Sequence, residues 1–151
     1  MNDASKVNCL NAQDKLFAKI SPHPLKPEEV INLVRTCDSG CVATYVGLIR
    51  DNSRGHEVRS VEYQDTKGTA ETGLLSIVRD ATGRFPVNAM AIYHRIGVLQ
   101  VNDINLVVAV GASHRGEALD ACRFAVDQFK ARLPTTKTET YTDGTIYRGH
   151  E

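Results

Sequence analysis

The chain has 151 residues, which favours a single compact domain, since chains of this length already bury about two-thirds of their unfolded surface. Its 18 Lys and Arg residues balance 18 Asp and Glu residues, so the sequence lacks the basic surplus of a general nucleic-acid binder. Apolar residues make up 42% and charged residues 24%, as is typical of a soluble globular protein and not of a disordered one.

The first residues predict a tail and a cytoplasmic protein. Residues 1–14 are polar and aperiodic, so we expect a flexible tail before a single domain at 15–151. This segment has neither the apolar core of a secretion signal nor the Arg-rich, acid-poor character of a transit peptide. The longest apolar run, Ile104–Ala112, is interrupted by Asn105 and is far shorter than the roughly 18 residues of a membrane helix. We therefore expect no membrane association.

The cysteines predict neither a disulfide scaffold nor a metal site. Four cysteines are too few to form a disulfide scaffold in a chain of this length. Cys37 and Cys41 are spaced like a ligand pair, but no second pair of Cys or His follows nearby. No metal and no cofactor are therefore predicted.

The first third of the chain alternates strand, helix and strand. Leu16–Ser21 predicts a short strand, and Pro27 suits the first position of a helix that runs to about Arg35. Cys41–Ile49 is β-branched and apolar at consecutive positions, which is typical of a strand buried on both faces. It ends abruptly in a polar loop, so Arg50 is predicted at a strand end.

The middle of the chain predicts three strands and one helix. Val58–Gln64 resembles a strand, and apolar residues recur at helical spacing over 70–85. Asn88–His94 and Ile104–Ala112 follow as strands. Because Ile104–Ala112 is almost wholly apolar, we expect it at the centre of a sheet.

The last third predicts a long helix and a hairpin. Ser113 is the expected N-cap of a helix from His114 to about Leu133, and Pro134 ends it. Thr135–Tyr147 reads as a β-hairpin whose Asp-Gly pair suits a type I′ turn. Strand pairs between helices indicate an α+β fold and not a doubly wound parallel sheet.

Basic residues at element ends are the candidate functional groups, because phosphate-loop, serine-hydrolase and metalloprotease motifs are absent from the sequence. His114 and Arg115 begin a helix, where an anion would be favourable; the alternative is that they are solvated first-turn residues. Lys130 lies in the last turn of this helix, where the helix dipole alone favours a cation. Strand alternation gives Lys137 a carboxylate neighbour, Glu139.

Two interpretations of Lys137 remain open. Held close to Lys130, it would supply a neutral amine for proton transfer or nucleophilic attack. Alternatively it is an edge-strand lysine that discourages aggregation. His94, at a strand end, is expected to pack or form hydrogen bonds and not to react.

A distance argument predicts a dimer. His114 and Lys130 are sixteen residues apart on one helix, about 24 Å at about 1.5 Å per residue, which is too far for one small-molecule pocket. A twofold dimer would combine His114 and Arg115 of one chain with Arg50, Lys130 and Lys137 of the other.

Five segments occur in an order that is characteristic of one family. They are Gly40–Asp51 (GCVATYVGLIRD), Val61–Tyr63, His94–Gly97, Ser113–Ala118, and Phe129–Lys130 leading through Pro134 to Lys137-x-Glu139. Together they resemble the large, catalytic subunit of molybdopterin synthase, the MoaE-type family, over about Phe17 to Tyr147. Thr135-Thr136 departs from the pattern, since the family usually has a bulky apolar residue and a tryptophan there.

The resemblance implies a fold, partners and a reaction. The fold is the α/β hammerhead with an antiparallel β-rich subdomain, as a homodimer that two small ubiquitin-like carrier subunits extend to a heterotetramer. The reaction is sulfur transfer from the C-terminal Gly-Gly thiocarboxylate of the small subunit to cyclic pyranopterin monophosphate, which forms the molybdopterin dithiolene in molybdenum cofactor biosynthesis.

The resemblance also implies site residues. Lys130 and Lys137 match the family's essential lysines. The implied substrate-binding positions are Leu48, Ile49, Arg50, His114, Arg115, Lys130, Lys137, Thr138 and Glu139. The alternative function is a non-catalytic homodimeric module that binds a phosphorylated small molecule or a partner's C-terminal carboxylate at the same cations. A stand-alone hydrolase using His114 would lack a visible nucleophile.

Overall fold

The computed structural model describes residues 15–149. The predicted tail at 1–14 and the last two residues of the predicted domain lie outside this range. The described residues form two sheets and three helices.

The first sheet has four strands in the order β1-β5-β7-β2. These are β1 (Leu16–Ser21), β5 (Ala89–Arg95), β7 (Ile104–Ala112) and β2 (Cys41–Leu48). β1 runs parallel to β5, and the other pairs are antiparallel. β7 lies inside the sheet and is buried from Leu106 onward, which confirms the central position that its apolar run predicts.

Helices cover both faces of this sheet. α2 (Ala70–Arg84) and α3 (Arg115–Ala131) pack on one face, and α1 (Pro27–Leu33) packs on the other. Successive residues of β7 point to opposite faces, so Val108 joins the α2 and α3 core while Val107 joins the α1 core. Because side chains alternate along β7, this one strand contributes to the hydrophobic cores on both faces of the sheet.

The second sheet is antiparallel and is built around β4 (His56–Gln64). β4 pairs along its length with β8 (Thr136–Tyr141) and on its other edge with β6 (Gly97–Gln100). β3 (Asn52–Ser53) pairs with the start of β4, and β9 (Ile146–Gly149) pairs with β8. This sheet has its own small core, with Val61, Tyr63 and Leu99 nearly inaccessible to solvent.

The predicted α+β class and the order of its long elements are confirmed. β3 and β6 were not predicted, because two and four residues carry too little pattern to be recognised. The prediction that Ser113 caps α3 is wrong: His114 occupies the N-cap without a side-chain cap. The hydroxyl of Ser113 instead donates to the Asp38 carbonyl oxygen at 3.2 Å.

The prediction of a type I′ turn between β8 and β9 is also wrong. Within this turn the described backbone has a positive φ only at Gly144, at 88°. The Gly144 N–H donates to the Tyr141 carbonyl, and the Tyr141 N–H donates to the Thr145 carbonyl. This is the three-residue hairpin loop in which a left-handed glycine follows a type I turn. The Asp143 carboxylate accepts hydrogen bonds from the Thr145 N–H and hydroxyl, which favours this turn.

Between residues 15 and 149, none of the helices combines the length and the apolar character needed to cross a membrane.

Candidate active site

A cleft of about 300 Å³ opens where β2 ends, between the two sheets. Its walls come from the end of β2 and the loop after it, from β3, β4 and β8, from the start of β7 and from the end of α3. The charged side chains that line it are Arg50, Arg54, Lys130, Lys137 and Glu139. Four cations therefore face one carboxylate in this part of the described chain.

The topology explains why Lys130 and Lys137 meet. α3 follows β7 and returns across the sheet, so its last turn lies beside the start of β7. The chain then turns at Pro134 and enters β8, which pairs with β4. Lys130 is exposed at the end of the helix, whereas the Lys137 side chain is only 18% exposed. One lysine thus reaches into solvent and the other is held in the cleft wall.

Glu139 is a buried carboxylate that three side chains bind. The Lys137 Nζ lies 3.2 Å from its Oε1, to which the Ser53 hydroxyl also donates at 3.1 Å. The Tyr141 hydroxyl donates to Oε2 at 2.6 Å. Burial raises the pKa of Glu139, but the hydrogen bonds from Tyr141, Ser53 and Lys137 outweigh it and hold the pKa below its usual value. Glu139 is therefore a fixed negative charge that anchors the Lys137 ammonium.

Tyr141 links this carboxylate to the hairpin turn. Its hydrogen bond to the carboxylate of Glu139 raises the pKa of the phenol. Its ring stacks on the His56 imidazole with 4.6 Å between centroids, and His56 Nδ1 lies 3.6 Å from Asp143 Oδ2. The position of Glu139 thus depends on β3, β4 and the hairpin together.

His94 is fully buried behind the cleft and packs as predicted. Its ring lies between the rings of Tyr63 and Phe129, with centroid distances of 4.8 and 4.9 Å. Burial lowers its pKa to about 4, so the imidazole is neutral near pH 7. Because a carbonyl can only accept, Nδ1 donates to the Asn105 carbonyl at 2.8 Å, and Nε2 accepts from the Thr135 hydroxyl at 3.0 Å. His94 therefore ties β7 to the residue that leads into β8.

The inner wall of the cleft contains a β-bulge. Gly47 is paired with Leu106 and Leu48 with Ile104, so Asn105 is an extra residue on β7. Its side-chain amide donates to the Tyr63 hydroxyl at 3.1 Å. Bulges change the direction of side chains and are frequent beside active sites.

Comparisons with known proteins decide the family. The family described as "MoaE protein" matches residues 20–132. The chain belongs to the MoaE family.

Curated relatives of this MoaE chain are molybdopterin synthase catalytic subunits. The human protein is 32% identical over 127 residues, which cover 84% of this chain and 68% of the human one. The protein from Nostoc sp. is 39% identical over 122 residues, 80% of this chain and 74% of its own. The predicted family and its role in molybdenum cofactor biosynthesis, as an enzyme of sulfur transfer, are confirmed.

Solved structures confirm the fold of this MoaE chain. Molybdopterin synthase from Staphylococcus aureus superposes with a TM-score of 0.81 at 29% identity, covering 89% of this chain and 97% of that one. A complex of subunits 1 and 2 of molybdopterin-converting factor from Helicobacter pylori gives 0.66 at 16% identity, over 86% of each chain, and supports the fold alone.

The structure brings together most of the site residues predicted for the MoaE chain. Six of them line the cleft: Leu48, Ile49, Arg50, Lys130, Lys137 and Glu139. Thr138 alternates to the other face of β8 and is not in the cleft lining. His114 and Arg115 are exposed at the opposite end of α3, so one chain by itself does not place them with Lys130.

Ser53, Arg54, Tyr63 and Asn105 line the cleft and were not predicted as site residues. Tyr63 belongs to a motif of the MoaE resemblance, and Asn105 is the polar residue that interrupts the apolar run of β7. Both signals were visible in the sequence. Thr135, which departs from the family pattern, is buried as the hydrogen-bond partner of His94.

Proposed function

We propose that this cleft is where sulfur passes from the C-terminal thiocarboxylate of a small carrier subunit to cyclic pyranopterin monophosphate. The observation that carries the proposal is the convergence of Arg50, Lys130 and Lys137 from three elements on one cleft. The substrate phosphate and the thiocarboxylate are both anions, and cations in a partly dehydrated cleft stabilise such groups more strongly than in water.

The two lysines have different surroundings and therefore different roles. Lys137 is fixed by Glu139, so its ammonium suits the reacting groups, whose geometry must be held closely. Lys130 is exposed on the last turn of α3, where it can meet the arriving carrier tail. Glu139 acts by holding Lys137, since its own oxygens are already bound.

The proposed assembly is a homodimer with two small carrier subunits. A solved structural neighbour from Helicobacter pylori is itself a complex of two molybdopterin-converting factor subunits, and the proposal assigns a partner of that kind to this chain. His114 and Arg115 of one chain would complete the cleft of the other, because they are too far from Lys130 along their own helix, about 24 Å. Two equivalent composite sites follow from the twofold symmetry.

Replacement of Lys137 by Ala tests the chemical role of the cleft. With thiocarboxylated small subunit and pterin substrate, the wild type should form molybdopterin, and Lys137→Ala should form none while remaining a dimer by sedimentation. The matched control is Lys67→Ala, an exposed lysine in the turn before α2, which should retain full activity. A fully active Lys137→Ala protein would refute the assignment.

Mixed dimers test the composite site. Lys137→Ala chains and chains with both His114→Ala and Arg115→Ala should each be inactive. After the two are unfolded together and refolded, half of the dimers carry one intact site, so roughly a quarter of wild-type activity should return. No recovery, despite mixed dimers shown by mass spectrometry, would refute the composite site.

A further inference from the structure

Asn105 combines three properties that a purely structural residue would not need. It is the extra residue of the bulge between β7 and β2, and it lines the cleft. Its Oδ1 is buried and has no hydrogen-bond partner within residues 15–149. An apolar residue there would continue the apolar run of β7 and would carry no buried amide oxygen without a partner.

Tyr63 is the hydrogen-bond partner of Asn105 in the cleft wall. Its hydroxyl oxygen accepts from Asn105 Nδ2 at 3.1 Å, and none of the hydrogen bonds within residues 15–149 uses the hydroxyl proton. Burial raises the pKa of this phenol, so it keeps that proton near neutral pH. The pair therefore holds one unused donor, the Tyr63 O–H, beside one unused acceptor, the Asn105 Oδ1. If the amide is rotated by half a turn, the pair still makes a single hydrogen bond and leaves one amide group unused.

Gly47 makes room for this amide. A Cβ on Gly47 would lie 2.6 Å from Asn105 Oδ1 and 3.2 Å from the ring of Tyr45. Any side chain here would displace the amide, so glycine on β2 is what allows Asn105 to lie against the strand. The terminal torsion of an asparagine is broad, so the amide can turn from Gly47 toward the cleft when a ligand offers a partner.

We propose that Asn105 and Tyr63 form a neutral hydrogen-bonding subsite that binds the lactam edge of a heterocyclic ring, with the ring carbonyl accepting from Tyr63 and the ring N–H donating to Asn105. The subsite deepens the proposed function, on which it rests: the cations hold the anionic groups, and this pair recognises the uncharged pyrimidinone end of the pterin. Adjacent donor and acceptor groups on the protein match adjacent acceptor and donor groups on such a ring.

Equilibrium binding of 6-methylpterin, a neutral heterocycle with this edge and no phosphate, tests the subsite without requiring turnover. Pterin fluorescence should show binding to the wild type and about tenfold weaker binding to Asn105→Leu and to Tyr63→Phe, the loss expected for a neutral hydrogen bond. Tyr93→Phe, on β5 outside the cleft lining, is the matched control and should bind like the wild type. Equal binding by all four proteins, or none by the wild type, would overturn the proposal.

Steady-state kinetics distinguish this subsite from the proposed function. In the reconstituted reaction both variants should raise KM for the pterin substrate about tenfold and leave KM for the thiocarboxylated subunit unchanged. Equal increases in both KM values would overturn the subsite. If the wild type binds 6-methylpterin but forms no product, the sulfur-transfer proposal fails while the ring subsite stands. Should Asn105→Leu not fold, Tyr63→Phe alone decides, because it removes one oxygen and keeps the ring.

Discussion

Tyr141→Phe tests whether Glu139 is held by the hydrogen bonds that the structure shows. The substitution removes the hydroxyl that donates to Glu139 Oε2 at 2.6 Å. The ring and its stacking on His56 remain. The perturbation is therefore confined to one hydrogen bond, and the other oxygen of the carboxylate keeps Ser53 and Lys137.

The burial and the charge of Glu139 set the expected loss of stability in Tyr141→Phe. Glu139 is 4% exposed, so water cannot easily replace the lost donor. Hydrogen bonds to charged groups contribute about 1.5–3 kcal/mol, and a buried acceptor left unpaired is costly. We expect the free energy of unfolding to fall by about 2 kcal/mol near neutral pH. Activity should fall as well, because the anchor of Lys137 becomes less rigid.

The loss of stability in Tyr141→Phe should become smaller as the pH falls. The pKa of Glu139 lies below its usual value of 4.5 in the folded chain, so the ionised carboxylate stabilises the fold above the unfolded pKa. This stabilisation disappears as the pH falls through the folded pKa. Tyr141→Phe brings the folded pKa closer to the unfolded one. The difference in stability between wild type and variant should therefore be largest near pH 7 and shrink below about pH 4.5.

Urea denaturation at a series of pH values, followed by circular dichroism, measures this difference. Tyr147→Phe is the matched control, because its hydroxyl makes no hydrogen bond within residues 15–149, and it should change stability by less than about 0.5 kcal/mol. A loss as small as that of the control near pH 7, or one that is the same in acid, would refute the role assigned to the Tyr141 hydroxyl.

Three further substitutions test the packing of the fold. His94 is neutral in the fold because burial lowers its pKa from 6.5 to about 4, so the unfolded chain binds the proton first on acidification. Wild-type stability should fall by up to about 1.4 kcal/mol per pH unit between these values, and denaturation of His94→Gln should lack this contribution. Gly111→Ala should destabilise by about 2 kcal/mol, because its Cβ would collide with the Val34 carbonyl. Gly83→Ala, in open space on α2, should instead stabilise by about 0.5–1 kcal/mol in thermal unfolding; the opposite order would contradict the packing described.

The elements that could be predicted from the sequence are those whose signal is local. β7 is recognisable because it is apolar at consecutive positions, and α3 because its buried residues recur at helical spacing. The pairing of Lys137 with Glu139 is predictable because alternate residues of a strand share a face, and the structure confirms it. The prediction that Ser113 caps α3 is wrong because its hydroxyl donates to a loop carbonyl 75 residues away, a partner that helix propensity cannot anticipate.

The candidate site, too, could be predicted only in part from the sequence. The cationic residues and the family were accessible from motifs, and Arg50, Lys130 and Lys137 do meet in one cleft. Whether His114 and Arg115 join them depends on a second chain. No motif indicated that both oxygens of Glu139 would accept hydrogen bonds from neighbouring side chains within the fold.

The sequence by itself determined the fold class, the long strands and helices, the family and the basic residues at the element ends. Only the tertiary structure decided which of those residues contact one another and which hydrogen bonds they form. Ser53 reaches Glu139 across 86 positions of the chain, and a one-residue bulge turns Asn105 into the cleft. The physical reason is that periodicity and propensity act between near neighbours, whereas a buried charge or amide is defined by partners that only strand pairing brings within hydrogen-bond distance.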